Sequence, residues 1–172
     1  MTIRFSLHTA VRSAVCLLIL LLAGCSSASS RDLLWYQDSM TAAVLTETES
    51  GRSWRITFSG QDFTAELLAP PSVAGIRYST AGSEAYAEAG EVRIPVGESM
   101  LTGARRAKGC LTLSPDALTG IEPCSDGGVL ADFSTPDARY TLCLGEDGLP
   151  RWITVQDSLG SIRYEFTAEV TP

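Results

Sequence analysis

Alternation of apolar and polar residues is the dominant pattern in this chain. The clearest early case spans the turn at Ser59-Gly60, where apolar residues occupy every second position on both sides: Trp54, Ile56, Phe58, Phe63, Ala65 and Leu67. The strongest run comes near the end of the chain, at Ile162, Tyr164, Phe166 and Ala168. A period of two places one set of side chains on one face of a strand, so these runs predict β-hairpins with one apolar face.

Turns that contain glycine separate further predicted strands at a spacing of ~8–12 residues, which is typical of an antiparallel β domain. These strands cover residues 40–48, 76–79, 84–88, 91–96, 129–133, 140–144 and 149–155. Residues 99–108 lack alternation and end at Gly109, which predicts a short helix. Ser114-Pro115, followed by Gly120, predicts one or two more helical turns.

About ten strands with one helical interruption form a sheet long enough to curl around its apolar face. The predicted fold class is therefore mainly β: a curved antiparallel sheet or incomplete β-barrel with one or two short helices. The pattern leaves two outcomes open. The inner face is either packed solid, as in a sandwich or closed barrel, or it surrounds a cavity.

The first 24 residues have the layout of a secretory signal, with Arg4 and Arg12 before an apolar run at 14–23. That run is shorter than the ~20 residues of a membrane-spanning helix. It ends at Leu22-Ala23-Gly24-Cys25, which resembles a bacterial lipobox. The resemblance implies cleavage before Cys25, a diacylglyceryl cysteine that often carries a further acyl chain such as palmitate, and a lipid anchor at the extracytoplasmic face of the cell membrane. An ordinary signal peptide or an uncleaved anchor is the alternative.

Ser26 follows the cysteine, and in a double-membrane cell envelope this resembles the default for the outer membrane. Residues 25–32 are Ser-rich and read as a tether, and residues 33–172 as a single β-rich domain. Thirteen basic and 20 acidic residues give a net charge of −7; without Arg4 and Arg12, 11 against 20 leaves −9. An acidic domain of this kind argues against a nucleic-acid partner.

Missing residue types narrow the chemistry further. The chain has one histidine, His8, and it lies in the predicted signal. Without histidine, the mature chain has no Ser-His-Asp or Cys-His system and few ligands for a transition metal. Lys108 is the only lysine and has no Ser-x-x-Lys motif before it. These observations predict a protein that is not an enzyme, with no cofactor and no metal site.

Three cysteines follow Cys25, namely Cys110, Cys124 and Cys143. An odd number argues against a full disulfide framework. A disulfide between Cys110 and Cys124 is one possibility in an oxidising compartment, and buried thiols are the preferred alternative.

The predicted hairpin at 140–153, with Gly145-Glu146-Asp147-Gly148 at its turn, is similar to one near the end of LolA/LolB-type lipoprotein carriers. The resemblance implies an incomplete barrel closed by helices around an apolar cavity. The chain departs from that family near its start, because residues 33–38 allow at most a turn or two where a long helix would precede the first strand.

Together these observations predict a lipid or acyl chain bound in the concave face of the sheet. The candidate cavity-lining residues are Trp54, Ile56, Phe58, Phe63, Leu142, Trp152, Tyr164 and Phe166; the alternative is that such side chains fill a core. Arg105, Arg106 and Lys108 are candidates for contact with a lipid head group, against a solvated helix end. The competing function is an envelope interaction module with a filled core, whose partner is another envelope protein.

Overall fold

A computed structural model describes residues 33–39, 42–59, 62–125 and 127–169. The predicted signal, the tether and Cys25 lie outside these ranges. The described residues form two α-helices, α1 (Trp35–Ser39) and α2 (Thr102–Gly109), and 3-10 helices at Glu98–Leu101 and Pro115–Ala117. None of the described helices has the length and apolar character that crossing a membrane requires.

Eleven strands in the described ranges form one antiparallel sheet. In chain order they are β1 (Ala42–Glu47), β2 (Ser53–Ser59), β3 (Asp62–Ala69), β4 (Arg77–Ala81), β5 (Glu84–Ala89), β6 (Val92–Pro95), β7 (Leu118–Pro123), β8 (Val129–Ser134), β9 (Ala138–Leu144), β10 (Pro150–Asp157) and β11 (Gly160–Glu169).

The sheet consists of two meanders that meet in its middle. Its spatial order is β6-β5-β4-β3-β2-β1-β11-β10-β9-β8-β7. Strands β1 to β6 run outward to one edge, the segment with α2 crosses to the other edge, and β7 to β11 return. The meanders join where β1 pairs with β11, from Ala42 opposite Glu169 to Glu47 opposite Tyr164. The predicted fold class, a curved and mainly β antiparallel sheet with few short helices, is confirmed, and the sheet is open rather than a closed barrel.

Burial follows the alternation of each central strand. In β1 and β3, every second residue is buried, including Leu45 and Ala65. Register aligns these positions across the sheet: Leu45 lies opposite Trp54, and Ile56 lies opposite Ala65. We call this apolar side the inner face. It is covered by the crossover segment, whose Leu101, Ala104, Ala107, Cys110, Leu111 and Leu113 are all buried.

Two glycines allow α2 to lie close to the sheet. A Cβ atom at Gly103 would lie 3.0 Å from Cζ2 of Trp54, and one at Gly109 would lie 2.9 Å from the hydroxyl oxygen of Tyr140. Gly109 was predicted to follow the helix, but it is the last helical residue. Its small size is explained by the close approach of Tyr140 rather than by a special backbone conformation.

The second predicted helix is a single 3-10 turn, the lower end of the one or two turns expected. Only Pro115–Ala117 is helical, with the Ser114 hydroxyl accepting a hydrogen bond from the amide of Asp116, and Leu118 already begins β7. The strand was missed because Gly120 and Pro123 resemble turn residues. As an edge strand with a register shift between Leu118 and Gly120, β7 tolerates both.

Candidate ligand-binding site

Most of the predicted cavity-lining residues do lie together on the inner face. Five of them, Trp54, Ile56, Phe63, Leu142 and Tyr164, are buried in the hydrophobic core. Phe58 and Phe166 are half-buried and pack against that core. The alternation rule therefore assigned these seven side chains to the correct face of the sheet.

Trp152 is the exception, and its assignment to the cavity is wrong. Its neighbour Ile153 is fully buried in the core and pairs with Tyr164 and Leu142. Since adjacent residues of a strand point to opposite faces, Trp152 lies on the outer face. There the guanidinium carbon of Arg163 lies 4.0 Å from the centroid of its ring, a cation–π contact.

Beneath α2 the inner face is filled by side chains. Leu101, Ala104, Ala107 and Cys110 from the crossover are completely buried, and Tyr36 of α1 is almost so. Small residues on the helix and the glycines at its two ends bring it against the sheet. In this part of the molecule, the filled core is the outcome that the structure supports.

A single carboxylate is buried in this core, among the residues that the structure describes. The Nε1–H of Trp54 donates to Oε1 of Glu47 at 3.1 Å, and the Ser50 hydroxyl donates to Oε2 at 2.5 Å. Arg52 adds an ion pair at 3.8 Å. Glu47 thereby fixes the indole on which Gly103 of α2 packs. Sequence reasoning missed this role, because Glu47 looked like an ordinary polar residue at a strand end.

The hydroxyl of Tyr164 is buried without a hydrogen-bond partner among the described residues. Burial raises the pKa of this phenol well above its ordinary range, and the nearby Cys110 and Glu47 raise it further. A phenol with so high a pKa stays protonated at every physiological pH. Tyr164 is therefore a core residue and is not suited to exchange protons.

Beyond the strands that α2 covers, the inner face becomes more exposed toward the edge at β6. Helix α2 packs over β2 and β3, whereas β4, β5 and β6 carry inward-pointing residues outside that contact. We call these residues the open strip: Tyr78, Ala85, Ala87, Val92 and Ile94. The strand register aligns Tyr78 with Ala87, and Ala87 with Ile94, in one row across the sheet.

The open strip is continuous with the core and ends in solvent. Tyr78 is half-buried, and its ring centroid lies 6.1 Å from that of Trp54. Ala87 is buried, but Ile94 is 49% exposed and Val92 is 63% exposed. Met100, at the start of the crossover, is also exposed. The strip therefore presents apolar surface on the concave side of the sheet.

The three predicted head-group residues point to two different places. Arg106 binds Asp157 through Nε, at 2.5 Å, and through Nη2, which also donates to the Gly160 carbonyl at 2.8 Å. This bidentate pair holds the pKa of Asp157 below its ordinary value and raises that of Arg106. Arg106 therefore ties α2 to the turn between β10 and β11, and it is unavailable to a ligand.

Arg105 and Lys108 face the other way, toward the first meander. They line a pocket of about 320 Å³ together with Asp62, Phe63, Thr80 and Gly82. Nζ of Lys108 lies 4.8 Å from the ring centroid of Phe63. Arg105 is exposed and bridges to Glu98 at 2.7 Å. We call this site the cationic pocket.

The cysteines are not arranged as the proposed disulfide required. Sγ of Cys124 lies 3.7 Å from Sγ of Cys143, whereas Sγ of Cys110 donates to the Arg106 carbonyl within α2. The structure contains no disulfide among the three, which agrees with the preferred alternative of thiols. Cys110 and Cys124 are on different layers of the fold, an arrangement that sequence spacing alone could not reveal.

The outer face carries a groove of a different character. It has a volume of about 500 Å³ and lies over β8, β9 and β10. Polar side chains make up most of its wall, and Thr141 donates to Asp132 at 2.6 Å within it. Across the described ranges, no three His, Cys, Asp or Glu side chains gather in a way that could hold a metal ion.

Similarity to known proteins is found among solved structures. No protein-family model matches the chain, and no curated protein matches it. Similar solved structures include an uncharacterized conserved protein from Thermus thermophilus, with 16% identity over 86% of this chain and 90% of that one and a TM-score of 0.45.

Two other similar structures are of proteins whose names include a class or a family. The Mycobacterium tuberculosis lipoprotein LppX is 13% identical over 84% of this chain and 95% of its own, with a TM-score of 0.45. A LolA superfamily protein from Nitrosomonas europaea is 10% identical over 82% and 92%, with a TM-score of 0.37. The fold itself is defined by its strand order and register.

Proposed function

We propose that this protein is a membrane-anchored extracytoplasmic lipoprotein that binds an apolar ligand, a lipid or acyl chain, on the open strip. The observation that carries the proposal is the exposure of large apolar side chains, Val92 and Ile94, on the inner face of the sheet. Exposed apolar area costs about 25 cal/mol per Å² relative to burial. A contiguous apolar patch on a concave surface is typical of a ligand site.

The position of the ligand differs from the one that the sequence favoured. Trp54, Ile56, Leu142 and Tyr164 are occupied with packing under α2, so they support the floor of the site rather than touch the ligand. Tyr78 lies at the boundary, in contact with Trp54 on one side and level with Ala87 on the other. An acyl chain would lie across β4, β5 and β6 from this boundary outward.

The anchor fits this role by position. Lipidation of Cys25 would leave only residues 25–32 between the membrane and the described domain, a tether of at most a few nanometres. The open strip would then work beside a reservoir of acyl chains. Replacing Cys25 with Ala should release the protein from membranes. A Cys25→Ala protein that remains membrane-bound would contradict the anchor.

Native mass spectrometry of the purified protein tests the ligand itself. The wild-type protein should carry co-purifying lipid or bind added dodecanoate, and Ile94→Asp should lower that occupancy severalfold. Leu159→Asp is the matched control, since Leu159 is also well exposed but lies in the turn between β10 and β11. Equal occupancy in wild type and Ile94→Asp would show that the open strip is not the site.

The second candidate is an interaction module for another envelope protein, and the polar groove on the outer face is the observation in its favour. Arg139 and Asp132 line it and offer charged and hydrogen-bonding groups. A protein that co-purifies with the wild type, is lost on Arg139→Ala and is retained on Ile94→Asp would support this function over lipid binding.

A further inference from the structure

The cationic pocket borders the open strip, and this juxtaposition gives the proposed ligand a chemical class. Phe63 and Thr80 belong to the pocket. Along β4, Thr80 and Tyr78 share the inner face, and Tyr78 begins the open strip. A molecule lying on the strip would therefore reach the pocket with one end, at the side where α2 passes over β3.

We propose that the ligand is an anionic amphiphile, with its carboxylate or phosphate held by Lys108 and Arg105 and its acyl chain on the open strip. The inference rests on the proposed function and adds the charge of the head group. Its basis is the meeting of two cationic side chains and an apolar surface, in a chain whose net charge is −7.

Lys108 is the stronger of the two cations for this purpose. Within the part of the chain that the structure describes, Lys108 makes no ion pair; its ammonium lies against the face of Phe63. A cation placed over an aromatic ring keeps its capacity to bind an anion on its other side. The half-buried position of Lys108 reduces competition from water relative to a fully exposed lysine.

Arg105 and Asp62 set the balance of charge around it. Arg105 shares its guanidinium with Glu98, and a planar guanidinium has donors left for a second anion. Asp62 is the acidic member of the pocket, and its Oδ1 accepts a hydrogen bond from the Gly82 amide at 3.3 Å. The pocket is thus lined by two cations and one carboxylate, and that carboxylate accepts a hydrogen bond from Gly82 within the pocket.

The proposed geometry fits the reach of a medium-length chain. The inner-face row runs from β3 to β6, which is three strand spacings of ~4.8 Å, or about 14 Å. A dodecyl chain matches this span. The head group would stay at the cationic pocket, while the methyl end would lie near Ile94 and Val92 at the exposed edge.

Calorimetric titration of the purified protein separates the contribution of the charged head group to affinity from that of the acyl chain. The ligands are dodecanoate, dodecyl phosphate and dodecanol, all below their aggregation concentrations, with inorganic phosphate as the head group alone. The two anions should bind about tenfold more tightly than dodecanol, because a charged hydrogen bond adds roughly that factor. Raising the salt concentration should reduce this difference in affinity, because salt screens the attraction between opposite charges.

Lys108→Gln should remove most of the preference for the anions over dodecanol. Arg93→Gln is the matched control, because Arg93 is an exposed cation that stacks on Tyr86 and pairs with Glu88 on the outer face. Thermal denaturation of both variants checks that each is folded.

The possible failures are distinguishable. Equal affinities for dodecanoate and dodecanol would overturn the anionic head group while leaving the proposed function intact. A preference that survives Lys108→Gln would remove the cationic pocket from the site. Inorganic phosphate that binds as tightly as dodecyl phosphate would assign the pocket to free anions. Binding of none of the amphiphiles would overturn the proposed function itself.

Discussion

The inner face of the sheet has two regions with the same sequence pattern and different surroundings. Under α2, the side chains of Leu45, Ile56 and Tyr164 are completely buried, and small helix residues fill the space above them. On the open strip, Ile94 and Val92 alternate with polar residues in the same way but remain exposed. Alternation determines which face a residue occupies, whereas the segment packed on that face determines whether the residue is buried or exposed.

Introducing a carboxylate in each region should separate them most sharply. Ala107→Asp places a charge at a completely buried position of α2 and should lower the free energy of unfolding by about 3 kcal/mol or more. Ala85→Asp, on the half-buried part of the open strip, should cost less than about 1 kcal/mol and should weaken binding of dodecanoate instead. Urea denaturation measures the first effect and calorimetry the second.

Similar losses of stability in the two variants would contradict the comparison, because they would show that the open strip is packed as tightly as the covered region. Ala107→Ser serves as a control of nearly the same size as the wild-type residue and without a charge.

The tie between α2 and the far turn should have the next largest effect. Arg106→Ala removes two charged hydrogen bonds to Asp157 and one to the Gly160 carbonyl, and it should lower stability by about 2 kcal/mol. Arg105→Ala removes an exposed ion pair and should cost less than about 0.5 kcal/mol. Thermal or urea denaturation at neutral pH compares them.

Acid should remove most of the difference between wild type and Arg106→Ala, leaving the contribution of the Gly160 hydrogen bond. Arg106 lowers the pKa of Asp157 in the folded state, so the stabilisation is complete above the ordinary carboxyl pKa of about 3.9 and is lost as the pH falls through the lowered value. Melting temperatures of both proteins should therefore converge at low pH. A constant gap down to the lowest accessible pH would assign the role of Arg106 to packing instead.

Tyr164→Phe tests the covered region with a smaller and opposite effect. The hydroxyl of Tyr164 is buried without a partner among the described residues, so its removal relieves an unpaired polar group. Stability should stay the same or rise by up to about 1 kcal/mol. A clear loss of stability on Tyr164→Phe would show that the hydroxyl has a partner, such as a bound water.

Thiol labelling tests the covered region without any substitution in the chain. Cys110 is buried between the crossover segment and the sheet, and burial raises the pKa of its thiol well above the ordinary value. Cys143 is also buried, whereas Cys124 is half-buried. Iodoacetamide at pH 8 should modify Cys124 first and Cys110 only after unfolding. Peptide mass spectrometry identifies each modified cysteine. Rapid modification of Cys110 would show that the crossover segment moves away from the sheet.

Local pattern was sufficient to predict the helical break and every described strand except β7. The runs around Trp54 and Tyr164 alternate without interruption, and each became a strand with the predicted face inward. The crossover helix at residues 99–108 was also expected within a few residues. Each of these predictions depends on neighbours in the sequence, where the chemistry of backbone and side chain acts directly.

The errors at Arg106 and Cys124 have a different cause, which is contact between distant segments, whereas the error at Trp152 is one of strand phase. Trp152 was assigned to the cavity although the fully buried Ile153 beside it requires the opposite face. Arg106 was grouped with Arg105 and Lys108 because they are adjacent, yet successive helix residues point about 100° apart, and Asp157 captures one of them. Cys124, just after β7, lies near Cys143 of β9 because β7, β8 and β9 are neighbours in the sheet. Spacing along the chain does not encode that arrangement.

The pairing of β1 with β11 has a consequence for how the molecule assembles. Every other neighbouring pair of strands in the described sheet is consecutive in the chain, so each hairpin forms by closing a short loop. The β1–β11 pair joins residues 42 and 169, and closing so long a segment costs more entropy and is slower. As a growing chain emerges, β1 must wait with one edge unpaired until the last strand arrives. Strand β1, which lies in the middle of the finished sheet, is therefore an edge strand until β11 pairs with it. Before the fold is complete, this edge is the part of the structure most exposed to misassociation.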